Sequence, residues 1–436
     1  MIILIENSKK EVRYVMESYK INENITLNYI PMTKLKTTSI GIYMGRKLDK
    51  EESSKNAVLP YVLMKGCSEA ENAATMAKTL QNLYGASLYT GVAKRGDNQF
   101  INFEGEVISD RFAPQREELT LGLFNLMLSV IFEPITEDGG FLEDVTEREK
   151  TNCINKIKGF INDKTSFANR RMQEEMFKDT VYAVSEHGYI EDIEKITPKS
   201  LYEHYKKIIG ASVINIFVCG DVNIEKIKGE IEKKISGLQF EKAMFSGCEI
   251  IKKSGEMETV LENTKLTQGK LSIGFRTNVA PEDKDFWALM LANNIYGGGL
   301  GSKLFNNVRE KLSLAYYVAT RIERFKGFML LYAGIAFDKL EEAKKEIFFQ
   351  LDEMKKGNIT EEEITNSKNE IINTLNSFYD DQKQLQSYYM GNIVAGVTVS
   401  LEEYKENINK VTKDEIVAVI NKLEPDTLFF LKRGDE

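Results

Sequence analysis

Histidine is scarce in this chain: His187 and His204 are the only two among 436 residues. They stand too far apart for any helix to present a histidine pair at i and i+4, the spacing that holds catalytic zinc. Histidine-based metal catalysis within one chain is therefore left without its ligands. His187 in "SEHGY" is expected in a turn, and His204 on an amphipathic helix in a surface or capping role. Cysteine is also sparse. Cys67, Cys153, Cys219 and Cys248 form no C-x-x-C, which argues against a zinc knuckle or a disulfide framework and leaves reduced packing thiols. No apolar run approaches the roughly 18 residues of a membrane span. The opening "MIILIENSKK" has too few apolar residues for a signal-peptide core, and its lysines follow that run, so a cytoplasmic protein is expected. Positive charge is in deficit: 58 Lys and Arg against 66 Asp and Glu give a net charge of −8, which argues against a nucleic-acid partner.

What is present is material for two or three domains, and a repeat. "ITPKSLYEHYKKIIGASVINIFVCGD", from Ile196, matches "VTKDEIVAVINKLEPDTLFFLKRGD", from Val411, in plan. Each has a threonine N-cap (Thr197, Thr412), a helix, a break, an apolar strand and a closing Gly-Asp. The beginnings also agree: "TTSIGIYMG" and "GKLSIGFRT" share Ser-Ile-Gly at Ser39 and Ser272. Strand pairs are expected at "ASLYTGVAK" with "NQFINFEGEV", turning at "RGDN", and at "LAYYVATRI" with "GFMLLYAGIA". The reading is α+β: two homologous domains, 1–235 and 267–436, each an antiparallel-rich sheet packed on helices. The charged, weakly periodic segment 236–266 is expected to be a linker. Thr360 and Glu363 in "ITEEEI" spell a capping box.

One stretch carries more specific information. "GGGLGSKLFNNVREKLSLAYYVATRI", from Gly297, resembles the signature of the C-terminal half in the insulinase and mitochondrial-processing-peptidase family, an inverzincin group. There a glycine-rich loop leads into a helix, then Arg-Glu-Lys, then a Leu-Ala-Tyr strand. The resemblance implies two such units closing like a clamshell on a peptide. It also implies that an active member carries H-x-x-E-H on the first helix of its N-terminal domain, with two histidines on zinc, a glutamate polarising water and a further glutamate downstream.

Here the corresponding helix reads "NAVLPYVLMKGC", which places Ala57, Pro60 and Tyr61 at the His, Glu and His positions. Alanine offers no ligand atom, proline removes the carboxylate, and a neutral phenol binds zinc poorly. The downstream glutamate has a candidate in Glu147 of "TEREKTN", alongside the plainer reading of an exposed helical glutamate. No metal is expected in this chain.

Arg309 and Tyr316 do match the family's arginine and tyrosine, seven residues apart. In the family they stabilise oxyanion charge and grip peptide carbonyls. The alternative is a structural ion pair and a core aromatic. Gly297, Gly298, Gly299 and Gly301 lack the G-x-x-x-x-G-K-[ST] order of a phosphate loop and fit a helix C-cap followed by a mobile substrate-facing loop. The resemblance thus implies a non-catalytic, substrate-binding subunit whose homologous partner brings zinc, with "NQFINFEGEV" as an edge strand able to add a peptide. The rival reading is a peptide-binding or scaffolding homodimer. "LTQGKLSIGFRTN", "NLYGASLYTGVAKRGDNQ" and "INDKTSFANRRMQEEM" further resemble the bacterial inactive branch associated with 5-aminopentanol modification of elongation factor P.

Overall fold

The computed structural model describes residues 15–115, 117–251 and 255–434. The opening decapeptide, and Asp435 of the second Gly-Asp, lie outside the described residues. The first sheet contains β1 (Glu17–Lys20), β2 (Ile25–Pro31), β3 (Thr37–Lys47), β4 (Ser87–Arg95), β5 (Asn98–Ile108) and β6 (Val213–Gly220), in the order β1-β2-β6-β3-β5-β4. The second contains β7 (Glu258–Thr264), β8 (Gly269–Arg276), β9 (Ala315–Glu323), β10 (Phe328–Ile335) and β11 (Glu424–Arg433), in the order β7-β11-β8-β10-β9. Without β1 the two orders are the same. In each sheet the first and last strands of the repeat run parallel, β2 with β6 and β7 with β11, and the other pairs are antiparallel. The duplicated α+β plan expected from the repeat is present.

Local chemistry explains the matching elements. Thr197, Thr412 and Thr360 each cap a helix in a reciprocal capping box with Ser200, Glu415 and Glu363, each satisfying two otherwise orphaned N–H groups. The β4–β5 register pairs Arg95 with Asn98, leaving Gly96 and Asp97 as a two-residue turn, with Gly96 left-handed at φ +56.

Two expectations are corrected. The segment 236–266 is not linker throughout, because Glu258–Thr264 is strand β7, the counterpart of β2. Its residues alternate between exposed (Thr259, Leu261, Asn263) and half-buried (Glu258, Val260, Glu262), the pattern of a sheet edge, which hides it in a composition scan. Nor is "NQFINFEGEV" an edge: β5 lies between β3 and β4, and the edges of that sheet are β4 and β1.

The halves exchange helices. Helix Lys164–Met176 belongs to the first half in sequence but packs Ala168, Met172 and Met176 with Phe328, Leu330 and Phe429 of the second sheet. Helix Gln382–Ala395 returns the favour: Gln382 Nε2 donates to the Thr37 and Cys219 carbonyls at 2.9 and 3.0 Å. The repeated Ser-Ile-Gly is the docking point in both. Ser272 Oγ donates to Asn169 Oδ1 at 2.7 Å, and Gln386 Nε2 donates to Ser39 Oγ at 3.1 Å. A Cβ on Gly274 would sit 2.5 Å from Met176 Sδ, and one on Gly41 2.3 Å from Gln386 Oε1, so a larger residue at either place would displace a side chain of the visiting helix. The hairpin turns also meet: Lys326 Nζ donates to Asp97 Oδ2 at 2.8 Å with both side chains buried.

Candidate functional site

The C-terminal motif is built on widened helical turns. Helix Phe286–Asn293 continues into a π-helical turn, Asn294–Gly298, and a second one spans Phe305–Lys311. Such turns cost hydrogen-bond geometry and are frequent at functional sites. The glycines between them are there for close packing. A Cβ on Gly297 would lie 2.8 Å from both Leu304 Cδ1 and Thr320 Cγ2, one on Gly298 2.6 Å from Asn293 Nδ2, and one on Gly299 2.6 Å from Glu370 Oε2. Gly301 faces open space. Gly299 does cap the helix, as expected, but at φ −93 it is extended and not left-handed. Glu370 Oε1 accepts from the Leu300 N–H at 3.2 Å, which ties the segment to helix Glu361–Ser377.

After the second π turn the chain reverses at Ser313, left-handed at φ +50, held by Ser313 N–H to Arg309 O (3.1 Å) and Leu314 N–H to Val308 O (2.8 Å). This reversal delivers Tyr316, on edge strand β9, beside Arg309. Both line one cavity of about 430 Å³ with Glu310, Ser313 and Ala336. Arg309 lies over the Phe305 ring at 4.9 Å, with Glu310 Oε1 3.5 Å from its Nε, while Tyr316 is 66% exposed. The core-aromatic alternative for Tyr316 does not hold. A guanidinium and a phenol facing an open cavity can bind carbonyl oxygens or an oxyanion.

The first-half positions are closed. Helix Lys50–Leu63, capped by Asp49, carries Ala57, Pro60 and Tyr61. Ala57 is buried, and its carbonyl lies 3.8 Å from Cys153 Sγ. Pro60 is buried inside the helix. The Tyr61 hydroxyl accepts from Lys156 Nζ at 3.0 Å. Helix Glu143–Gly159 therefore brings Lys156, and not Glu147, to this place. Glu147 lies more than two turns back along it, half exposed, with its carboxylate 2.8 Å from Lys150 Nζ. These residues do not fit zinc: Ala57 and Pro60 carry no ligand atom, and the Tyr61 phenol takes the Lys156 ammonium. No three His, Cys, Asp or Glu side chains converge elsewhere among the described residues.

The two histidines serve the interior. His187 lies in the expected turn, with its ring 4.7 Å from Phe160. His204 is not at the surface: it is buried, and its Nε2 lies 2.7 Å from Asn56 Oδ1, in a chain that continues from Asn56 Nδ2 to Gln99 Oε1 at 2.9 Å. Burial pushes both imidazoles down to about 4, because an imidazolium would lose its hydration there. Only tertiary packing reveals this. The apolar stripe of helix Pro198–Ile209 includes position 204 but does not say that a buried asparagine faces it.

Comparison with known proteins agrees with this arrangement. The family description "Peptidase M16 inactive domain" matches residues 195–371. A Bacillus subtilis protein named "Probable inactive metalloprotease YmfF" is 32% identical over 96% of this chain and 98% of its own length. A solved structure of a conserved protein from Enterococcus faecalis shares 27% identity with a TM-score of 0.87, covering 97% of this chain and 99% of that one. A peptidase M16 inactive domain from Pseudomonas fluorescens has the same fold at 17% identity, with a TM-score of 0.77 over 97% and 98% of the two chains. The chain belongs to the peptidase M16 family, as an inactive homologue of its zinc proteases.

Proposed function

We propose that this chain is the non-catalytic, substrate-binding subunit of a heterodimeric zinc peptidase, closing a chamber with a homologous subunit that carries H-x-x-E-H and the metal. One observation carries the reading: Arg309 and Tyr316 open into a single cavity, while the first helix offers Ala57 and Pro60 without a ligand atom and Tyr61 with Lys156 beside it. An exposed tyrosine beside an exposed arginine is half a site, and a substrate held by a second chain completes it. A peptide would be gripped through its carbonyls by these two groups and along open sheet edges, β4 in the first sheet or β9 in the second.

The test is a mixed complex of this chain with an H-x-x-E-H homologue from the same cell. Replacing Arg309→Ala and Tyr316→Phe together should lower peptide turnover by about 10²-fold, the usual order for loss of oxyanion donors, with zinc content and subunit association unchanged. Full turnover by the double variant would refute the role. A chain that ignores the homologue and sizes as a dimer of itself would replace this reading with a peptide-binding homodimer. The association with elongation factor P forms no part of the proposal.

A further inference from the structure

A second cavity, of about 620 Å³, lies where Arg95 of the first half meets the second half, lined from Gly298 and the helix carrying Glu370 to Ser387, and it has no part in the chemistry above. Its walls expose more apolar than polar surface, with Phe286, Met290, Ile371, Leu375 and Phe378 prominent. Two arginines interrupt them: Arg95 from the end of β4 and Arg324 from the β9–β10 turn. They crowd one glycine. A Cβ on Gly391 would lie 2.1 Å from Arg324 Nη2 and 3.4 Å from Arg95 Nη1. Neither guanidinium forms an ion pair among the described residues. Arg95 donates to Ser387 O and Oγ at 3.2 and 3.0 Å, and Arg324 donates to Asn392 Oδ1 at 3.0 Å. Of the carboxylates in the same lining, Glu323 accepts from the Phe325 N–H at 3.2 Å and lends its charge to both arginines without an ion-pair contact, and Glu370 accepts from the Leu300 N–H.

Two half-buried like charges that crowd one glycine repel each other, and the single carboxylate whose charge reaches both, Glu323, offsets only part of that. An anion placed between them removes the repulsion. A guanidinium fork matches a carboxylate in plane and in spacing, and apolar walls of this extent are satisfied by an apolar body and not by a bare hydrated ion. We propose that this cavity binds a carboxylate carried on an apolar body, with Arg95 and Arg324 holding the carboxylate. The same chemistry is presented by a small free acid and by the C-terminal residue of an apolar peptide. The inference is independent of any zinc-bearing partner.

The test is calorimetric titration of the full chain alone with four probes: phenylbutyrate, its amide, an acetylated Leu-Phe dipeptide with a free C-terminus, and that dipeptide amidated. Expected are binding of at least one acid and loss of about tenfold or more on amidation, the scale of one charge-assisted contact. Binding of phenylbutyrate identifies a free acid as sufficient; binding of the dipeptide alone identifies a peptide C-terminus. Arg324→Met should lose the acid by a similar factor. Thr374→Trp, which fills the cavity from its wall and leaves both arginines in place, should also abolish binding and covers the case in which the arginine variant does not fold. Amides that bind as well as acids, an unchanged affinity in either folded variant, or no binding of any acid at millimolar concentration would overturn the proposal.

Discussion

Replacing Lys326→Met removes the ammonium that neutralises Asp97 where the two hairpin turns meet. Both side chains are almost fully buried, at 1% and 7% exposure. Asp97 Oδ2 takes the lysine at 2.8 Å, while Oδ1 is buried with no partner. The nearest alternative for the lysine, Glu249, is 3.9 Å away and 72% exposed, so its attraction is screened by water. Methionine keeps the bulk of the stem and leaves a carboxylate with no countercharge, a defect of about 3–5 kcal/mol. Replacing both, Lys326→Met with Asp97→Leu, removes the orphan, and the double variant should return to within about 1 kcal/mol of the parent. The coupling energy should then be at least about 2 kcal/mol. Urea unfolding measures it by circular dichroism and by fluorescence of Trp287, the single tryptophan, which lies 4.8 Å from the Tyr404 ring in the second half. A single substitution costing under about 1 kcal/mol, or penalties that simply add, would show that this pair does not hold the halves together.

Acid should weaken the fold through histidine. Both imidazoles are held at about 4 in the folded chain against about 6.5 unfolded, so above pH 6.5 neither state is protonated and no penalty exists. Between pH 6.5 and 4 the unfolded chain takes the protons and the folded one does not. Stability should fall there by about 1.4 kcal/mol per pH unit for each histidine. His204→Gln should roughly halve that slope, and a slope unchanged by it would refute the assignment. At the degenerate first helix, Ala57→His, Pro60→Glu and Tyr61→His together should still leave the protein without zinc, because Lys156 stays in place. Adding Lys156→Glu should give about one zinc per chain by elemental analysis. Stoichiometric zinc in the triple variant would show that the ammonium is not the barrier.

The repeat was legible because it is written in local signals: threonine caps, apolar strands and Ser-Ile-Gly. That Arg309 and Tyr316 stand together was legible only through the resemblance of their motif, seven residues apart, to the family's; the turn that brings them to one cavity is visible only in the fold. Strand β7 was not, since a half-exposed edge reads like linker. The fate of helices Lys164–Met176 and Gln382–Ala395 was also hidden, because an apolar stripe announces that a helix is covered but not which sheet covers it. Glu147 keeps the plainer of its two readings, an exposed helical glutamate, and counting along a helix does not reveal which of its residues meets Tyr61. Lys156 does, and that is a property of two helices packed together. Arg95 and Arg324 share a cavity only after both hairpins have formed.

The exchange of helices has a consequence for how the chain comes to be folded. Met172 and Met176 find their cover on strands that include β11, about 250 residues further along, so the contact closes a very long loop and is slow to form. During synthesis on a ribosome the first half emerges with one of its helices unhoused and with the Ser39–Gly41 slot in its own sheet empty. Neither half can be finished before the other is made. A gene cut between the halves would yield two sticky fragments that recover structure only by finding each other, and the point of no return in folding is the arrival of the second sheet.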